Sequence, residues 1–229
     1  MFVLKIGGSV LYDEAEQING NLISQYAKTI RNLMKDTKSK FSLVIGGGKL
    51  ARKYIDVSRS FGATESYNDE IGIEAAKLNA RLIISSLNDS AYPIPPNDFQ
   101  EFQSIFNLTN KIIICGGFQP GQSTNAVAAL ISEYTSATKL INLTDVEGVY
   151  SDDPDKNPKA KLLESLTIND FSKIVGNQET RAGHYPLFDS TAIQIIKRAK
   201  IPVQFINGKN PENLLKAIKG LKIGSLITF

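Results

Sequence analysis

Phe2-Val3-Leu4-Lys5-Ile6-Gly7-Gly8-Ser9 is a run of strand character broken by a glycine pair. The pattern returns twice. Phe41 to Ile45 runs into Gly46-Gly47-Gly48-Lys49, and Lys111 to Cys115 runs into Gly116-Gly117 and on to Thr124. Stretches of helical spacing lie between and after these runs. Leu22 to Met34 sets Ile23, Tyr26, Ala27 and Ile30 on one side, and Leu50 to Phe61 stops at Gly62, a suitable C-terminal cap. Asn68 to Leu87 and Ala126 to Tyr134 are two further helices. Leu140 to Leu143 reads as a fourth strand, Thr191 to Lys200 as a helix, Val203 to Ile206 as a fifth strand and Glu212 to Leu221 as a final helix. Strands alternating with helices predict an α/β fold, with a mainly parallel sheet covered on both faces.

The glycine turns carry the chemistry. Without a Cβ, a turn lets backbone N–H groups come close to an anion, and the helix that follows adds unpaired N–H groups and a partial positive charge. In an open parallel sheet all such turns lie at the carboxyl ends of the strands, where ligands bind. A single turn could simply reverse the chain. Three in succession predict a site long enough for several phosphates. The P-loop pattern GxxxxGK[ST] and the dinucleotide fingerprint GxGxxG are both absent, which disfavours P-loop kinases and nicotinamide enzymes.

Two cations accompany the turns. Lys5 lies inside the first strand, where a lysine is costly to bury unless it reaches an anion; the alternative is an edge-strand lysine facing solvent. Arg52 follows Gly48 by one helical turn. It either reaches a phosphate held over that turn or lies on a solvated helix face, as Lys53 does.

Composition narrows the classes. The 229 residues are 42% hydrophobic, which suits one domain over 1–229, or two tightly joined lobes, with an ample core. A net charge of +3 without a long basic run gives no support to nucleic-acid or membrane-surface binding. The one cysteine, Cys115, excludes an internal disulfide and reads as a buried small residue. No apolar stretch approaches a membrane span, and no signal peptide is recognisable, so a cytoplasmic location is expected. Pro93, Pro95 and Pro96 mark a loop, and Ser151 to Lys161 reads as a polar surface loop. His184, the only histidine, has no partner in sequence and is expected to be structural or superficial.

Taken together, Lys5 to Ser9, Gly46 to Tyr54 and Gly116 to Thr124 resemble the amino acid kinase family. The third motif, running on through Ala126-Val127-Ala128-Ala129-Leu130, is similar to the archaeal-type UMP kinases within it. Thr144-Asp145-Val146-Glu147-Gly148-Val149-Tyr150 with Asp152-Asp153-Pro154 matches the family's nucleotide-binding stretch, and Asp189 with the following helix matches its C-terminal motif.

The resemblance implies a three-layer sandwich, with UMP in the N-terminal part and ATP towards residues 140–229. It implies transfer of the γ-phosphoryl group of ATP to UMP, with Mg²⁺ and without a protein-built metal cage. Lys5 and Arg52 would be the catalytic cations. ATP would be held by Lys5, Ile6, Gly7, Gly8, Ser9, Gly48 and Arg52, and its adenosine by Thr144, Tyr150 and Asp153. UMP would contact Gly47, Asp69, Phe118, Gln119, Pro120, Gly121, Gln122, Ser123 and Thr124. A homo-oligomer, a hexamer built from dimers, is also implied. Each assignment has a plainer reading: Asp69 as a charge at a helix N-terminus, Ser123 or Thr124 as an N-cap, Tyr150 as a core aromatic, Asp152 and Asp153 as turn formers.

Two departures stand out. Asn125 occupies a position where many relatives have aspartate. Tyr185-Pro186-Leu187-Phe188 stands where the acetylglutamate-type members carry a second lysine, which disfavours an acetylglutamate or aspartate kinase. The remaining alternatives are another small-molecule kinase of this fold, acting on an isopentenyl-type phosphate, carbamate or an amino acid, and a non-catalytic binding or storage protein. The polar Gln119 to Thr124 segment argues against a prenyl phosphate, and the retained Lys5, Arg52 and glycine turns argue against a non-catalytic role.

Overall fold

Val3 and Leu4 are neighbours on one strand, point to opposite faces, and are both fully buried. A strand with apolar residues on both faces has to be covered on both, and the computed structural model of the chain has that arrangement. It describes residues 1–152, 154, 157–175 and 187–229. The strands are β1 (Phe2–Ile6), β2 (Phe41–Ile45), β3 (Ile113–Cys115), β4 (Lys139–Thr144), β5 (Ser165–Thr167), β6 (Val203–Asn207) and β7 (Ser225–Thr228). They form one sheet in the order β3-β2-β1-β4-β6-β7-β5. All neighbouring pairs are parallel except β6 and β7.

The helices are α1 (Gly20–Thr37), α2 (Gly48–Ser60), α3 (Glu65–Leu87), α4 (Phe99–Leu108), α5 (Thr124–Tyr134), α6 (Ile168–Val175), α7 (Ser190–Ala199) and α8 (Glu212–Ile218). On one face Val3, Val44, Leu140, Val203 and Phe205 pack with Ala126 to Ala129 of α5, Phe171 of α6 and Ile196 of α7. On the other, Leu4, Ile6, Leu43, Ile45, Ile141 and Leu143 pack with Tyr26 and Ile30 of α1 and Ala80, Ile83 and Leu87 of α3. The α2 helix lies outside this layer and joins α3 through Ala51, Ile55 and Ala75.

The expected α/β sandwich is therefore present, with several differences in detail. α4, α6, β5 and β7 are additional to the elements read from the sequence. The two strands have three and four residues, too short for a period to register. α4 follows the three prolines and is announced only by Asp98, whose side chain accepts from Glu101 N–H at 2.8 Å. α3 starts at Glu65, capped by Thr64, so Asp69 lies in its second turn and not at its N-terminus.

The strand order places the site. The chain steps from β1 outward to β2 and β3, then crosses back to lay β4 on the other side of β1. The order reverses between β1 and β4, and a crevice at the carboxyl ends of such a pair is where open parallel sheets bind ligands.

Candidate active site

The first two glycine turns touch backbone to backbone. A Cβ on Gly8 would sit 2.2 Å from Gly48 N, and Gly48 itself holds a φ of +64°. No side chain fits at either position, so the turn after β1 and the start of α2 lie against each other. The third turn is pressed against α3, where a Cβ on Gly116 would lie 2.7 Å from Lys77 N. The glycines thus serve first to let turn meet turn. The consequence is a cleft over the carboxyl ends of β1, β2 and β4, lined by all three turns.

Lys5 stands at the floor of this cleft. Burial pulls its ammonium down to about 8 from the usual lysine value, against the opposing pull of Asp145 and Asp189. The side chain is half-buried and lines the cleft, and β1 lies between β2 and β4, so the edge-strand alternative does not describe this lysine. Arg52 lines the same cleft from α2, with its Nη2 donating to Ser9 Oγ at 3.0 Å. Its neighbour Lys53 points away and pairs with Glu16 at 2.7 Å. An alkylammonium, a guanidinium, a hydroxyl and the first turn of α2 thus face one cavity, an arrangement suited to a chain of phosphates.

Of the residues named from the sequence, Lys5, Gly7, Gly8, Ser9, Gly47, Gly48, Arg52, Asp69, Gln122, Ser123, Thr124 and Thr144 line the cleft. Ile6 does not; its side chain is fully buried on the α1 side of the sheet. Phe118 packs against the α5-side core, and Gln119, Pro120 and Gly121 form an exposed turn at the rim, closed by Gln122 N–H to Gln119 O at 3.2 Å. Asp69 holds that rim, accepting from Gly121 N–H at 2.8 Å. Tyr150 is half-buried and bridges to Leu162. Asp153 and His184 lie outside the described residues.

The Ser123 hydroxyl is engaged within the protein. It accepts from the N–H groups of Asn125 and Ala126, capping α5, and donates to Asp189. Its single proton is committed, so the N-cap reading describes it. Asp189 in turn caps α7 through Ala192 N–H at 3.0 Å. Asn125 reaches across from α5 to Leu187 O and to Asn142 of β4. Cys115 is fully buried and its thiol is pushed well up by that burial, which makes it no nucleophile.

Sequence reasoning left Asp145 and Asn142 unassigned. Asp145 lies beside the assigned Thr144, directly after β4, and its position after a strand at the switch point could have marked it. Asn142 alternates with Ile141 and Leu143 inside an apolar strand, and that polar interruption was its signal.

Comparison with known proteins agrees with this geometry. The profile of the amino acid kinase family matches residues 1–207. A uridylate kinase of Methanobrevibacter smithii is 42% identical over 225 residues, covering 98% of this chain and 97% of the relative. One from Hyperthermus butylicus is 40% identical over 226 residues, covering 99% and 97%. The crystal structure of uridylate kinase from Archaeoglobus fulgidus superposes with a TM-score of 0.85 at 39% identity, covering 99% of both chains.

Proposed function

This chain belongs to the amino acid kinase family, and we propose that it is a uridylate kinase, transferring the γ-phosphoryl group of ATP to UMP to give UDP and ADP. The observation that carries the choice of UMP is the end-to-end likeness to archaeal uridylate kinases at about 40% identity. The cleft supports phosphoryl transfer independently of those names, through Lys5, Arg52 and three glycine turns at the β1/β4 switch point.

The reaction is an in-line displacement. An oxygen of the UMP phosphate bonds to the γ-phosphorus as the bond to the β-bridging oxygen breaks, and the electron pair leaves with ADP. The acceptor is already an anion, so no general base is needed, and the protein's task is positioning and charge neutralisation. Lys5 supports charge growing on the transferring group and the β-phosphate. Arg52, fixed through Ser9, clamps the phosphates. The backbone N–H groups of Gly8 and Gly48 supply further donors, while that of Gly7 is held by the Leu143 carbonyl oxygen at 2.8 Å.

Among the described residues no group of three or more acidic, histidine or cysteine side chains is placed to cage a metal. Mg²⁺ would enter with ATP, keep several waters and neutralise phosphate charge, and would need one or two carboxylates; Asp145, which lines the cleft, would be one of them. The adenosine is assigned to Thr144, Tyr150 and Asp153, within residues 140–229. UMP is assigned to the N-terminal part, over Gly47, Asp69, Gln122 and Thr124, with the Phe118 to Gly121 rim above it.

The finer statements that accompany this reading are a cytoplasmic enzyme of pyrimidine nucleotide synthesis and a homo-oligomer, a hexamer by resemblance. Tyr54 and Val57 on α2 and Phe61 just after it, at 64%, 54% and 83% exposure, are exposed apolar side chains that support self-association. No described helix is long and apolar enough to cross a membrane. Coupled ADP release measured with UMP, CMP and dTMP tests the function. UMP-dependent release is expected, and no release with UMP overturns the proposal.

A further inference from the structure

Lys5 and Asn142 are ladder partners on β1 and β4. The row that contains them runs Cys115, Val44, Lys5, Asn142, Phe205 across the sheet. Cys115, Val44 and Phe205 are fully buried. Asn142 therefore has one polar neighbour on its row, and that neighbour is Lys5.

Asn142 is fully buried as well. Its Nδ2 donates to Asn125 Oδ1 at 3.2 Å. Asn125 Nδ2 donates to the carbonyl oxygen of Leu187, also at 3.2 Å. This second bond fixes the direction of the first. With its nitrogen held by a carbonyl, Asn125 must offer its oxygen to Asn142, and Asn142 must answer with its nitrogen. Reversing either amide would bring two acceptors together. The oxygen of Asn142 is left over, and it is buried without a hydrogen-bond partner. A buried acceptor in that state is costly and calls for an explanation.

The matching vacancy is on Lys5. Among the described residues no hydrogen bond holds its Nζ, and Asp145 and Asp189 act on it through space. An acceptor without a donor and a donor without an acceptor thus lie on partnered residues of adjacent strands, although the two atoms are not hydrogen-bonded in the structure. Adjacent strands are about 4.8 Å apart, a span that a lysine side chain covers. We propose that Asn142 is a positioning residue for Lys5, its Oδ1 accepting a hydrogen bond from the ammonium, with Asn125 and Leu187 O setting the amide in the direction this requires.

The identity of the acceptor matters. An amide oxygen stabilises the ammonium without cancelling its charge, so the full charge remains available to a phosphoryl oxygen. A carboxylate in place of Asn142 would pair with the lysine and compete with the substrate. The charged groups that act on Lys5 are Asp145 after β4 and Asp189 at the start of α7, and Arg52 on α2 and Asp69 on α3 line the same cleft. On its own ladder row and on α5 the neighbours Val44, Asn142 and Asn125 are neutral.

The inference deepens the phosphoryl-transfer reading and rests on it only for its kinetic arm. The primary test needs no turnover. Lys5 of the unliganded protein is acetylated with acetic anhydride across a pH series, and the fraction modified is read by peptide mass spectrometry. This gives the pH at which the ammonium loses its proton. Asn142→Leu keeps the shape of the side chain and removes the acceptor; the midpoint is expected to fall by roughly one unit. Asn142→Asp, a near-isosteric variant that serves if the leucine variant fails to fold, is expected to raise it by about as much or more. In the kinetic arm, Asn142→Leu lowers kcat by about 10-fold with KM for ATP little changed. An unshifted midpoint in the folded variants overturns the proposal whatever happens to the rate, since a purely structural asparagine would alter activity without moving the lysine's titration. If the unmodified chain makes no ADP with UMP, the functional reading fails, and the titration still decides the role of Asn142.

Discussion

The guanidinium of Arg52 donates to the hydroxyl of Ser9 at 3.0 Å, tying α2 to the turn after β1. The bond holds the guanidinium in the cleft, where its other N–H groups would be the donors to substrate phosphates in the proposed reaction. Replacing Arg52 with alanine is expected to lower kcat/KM by about 10²-fold or more, as for other preorganised donors. Stability should change by no more than about 0.5 kcal/mol, because the side chain lies in the cleft and not in the core. Steady-state kinetics beside a denaturant melt checks both. Full activity in the variant would return Arg52 to a solvated-face role.

On the proposed assignment of UMP, base choice falls to the rim. Uracil offers an N3–H donor and a carbonyl, whereas cytosine offers an acceptor and an amino group. A site of fixed polar partners rejects the wrong pattern, since its own groups would be left unpaired. UMP should be preferred over CMP by roughly 10²-fold or more in kcat/KM. Equal turnover of the two would reduce the assignment to a general pyrimidine kinase.

Ser123 sits at the end of the third glycine turn, yet its hydroxyl is held by α5 and Asp189. Ser123→Ala removes an N-cap and leaves a buried carboxylate short of a donor. A loss of about 2–4 kcal/mol in a urea or guanidinium melt is expected. KM for UMP should stay near the unmodified value, because the hydroxyl proton is not free for substrate. A large rise in KM with unchanged stability would reassign Ser123 to the nucleotide.

The repeated strand-then-glycine pattern gave away the layers and the edge of the sheet that binds. It did so because apolar runs bounded by glycine are set locally, as Phe2 to Gly8 is. Backbone contact between Gly8 and Gly48 could not be read, since it depends on how two turns 40 residues apart pack. The same limit hid the Asn142–Asn125–Leu187 chain, whose members come from three elements. Ile6 was included in the site because it sits between Lys5 and Gly7, but alternation along β1 sends it to the opposite core. Ser123 illustrates a different limit. The sequence offered both a cap and a ligand, and only the position of Asp189 decides between them.

Lys5 carries the clearest conflict between stability and activity. Its ammonium is drawn down to about 8 by burial, which means that the folded chain binds this proton less readily than the unfolded chain does. Between about 8 and the ordinary lysine value of 10.5 the unfolded state holds the extra proton, so stability rises with pH through that window. Below it the charged lysine burdens the fold by its full amount. Lys5→Met removes the charge and keeps much of the length. In the absence of ligand at pH 7 it should therefore raise Tm, by about 2–4 °C for each kcal/mol relieved in a chain of this size. The gain should shrink as the pH climbs from 8 towards 10.5. The same variant should lose about 10² to 10³-fold in kcat, with ATP affinity changing less, because the charge matters most when the phosphoryl group is in transit. Lys5→Arg should not restore the rate, since a planar fork cannot occupy the place of a compact point charge. Melting curves across pH, paired with kinetics and direct ATP binding, separate the outcomes. A variant that is less stable at every pH would mean that the lysine stem contributes more packing than its charge costs. A variant that binds ATP far more weakly but turns over normally at saturation would make Lys5 a binding group and place the catalytic charge on Arg52.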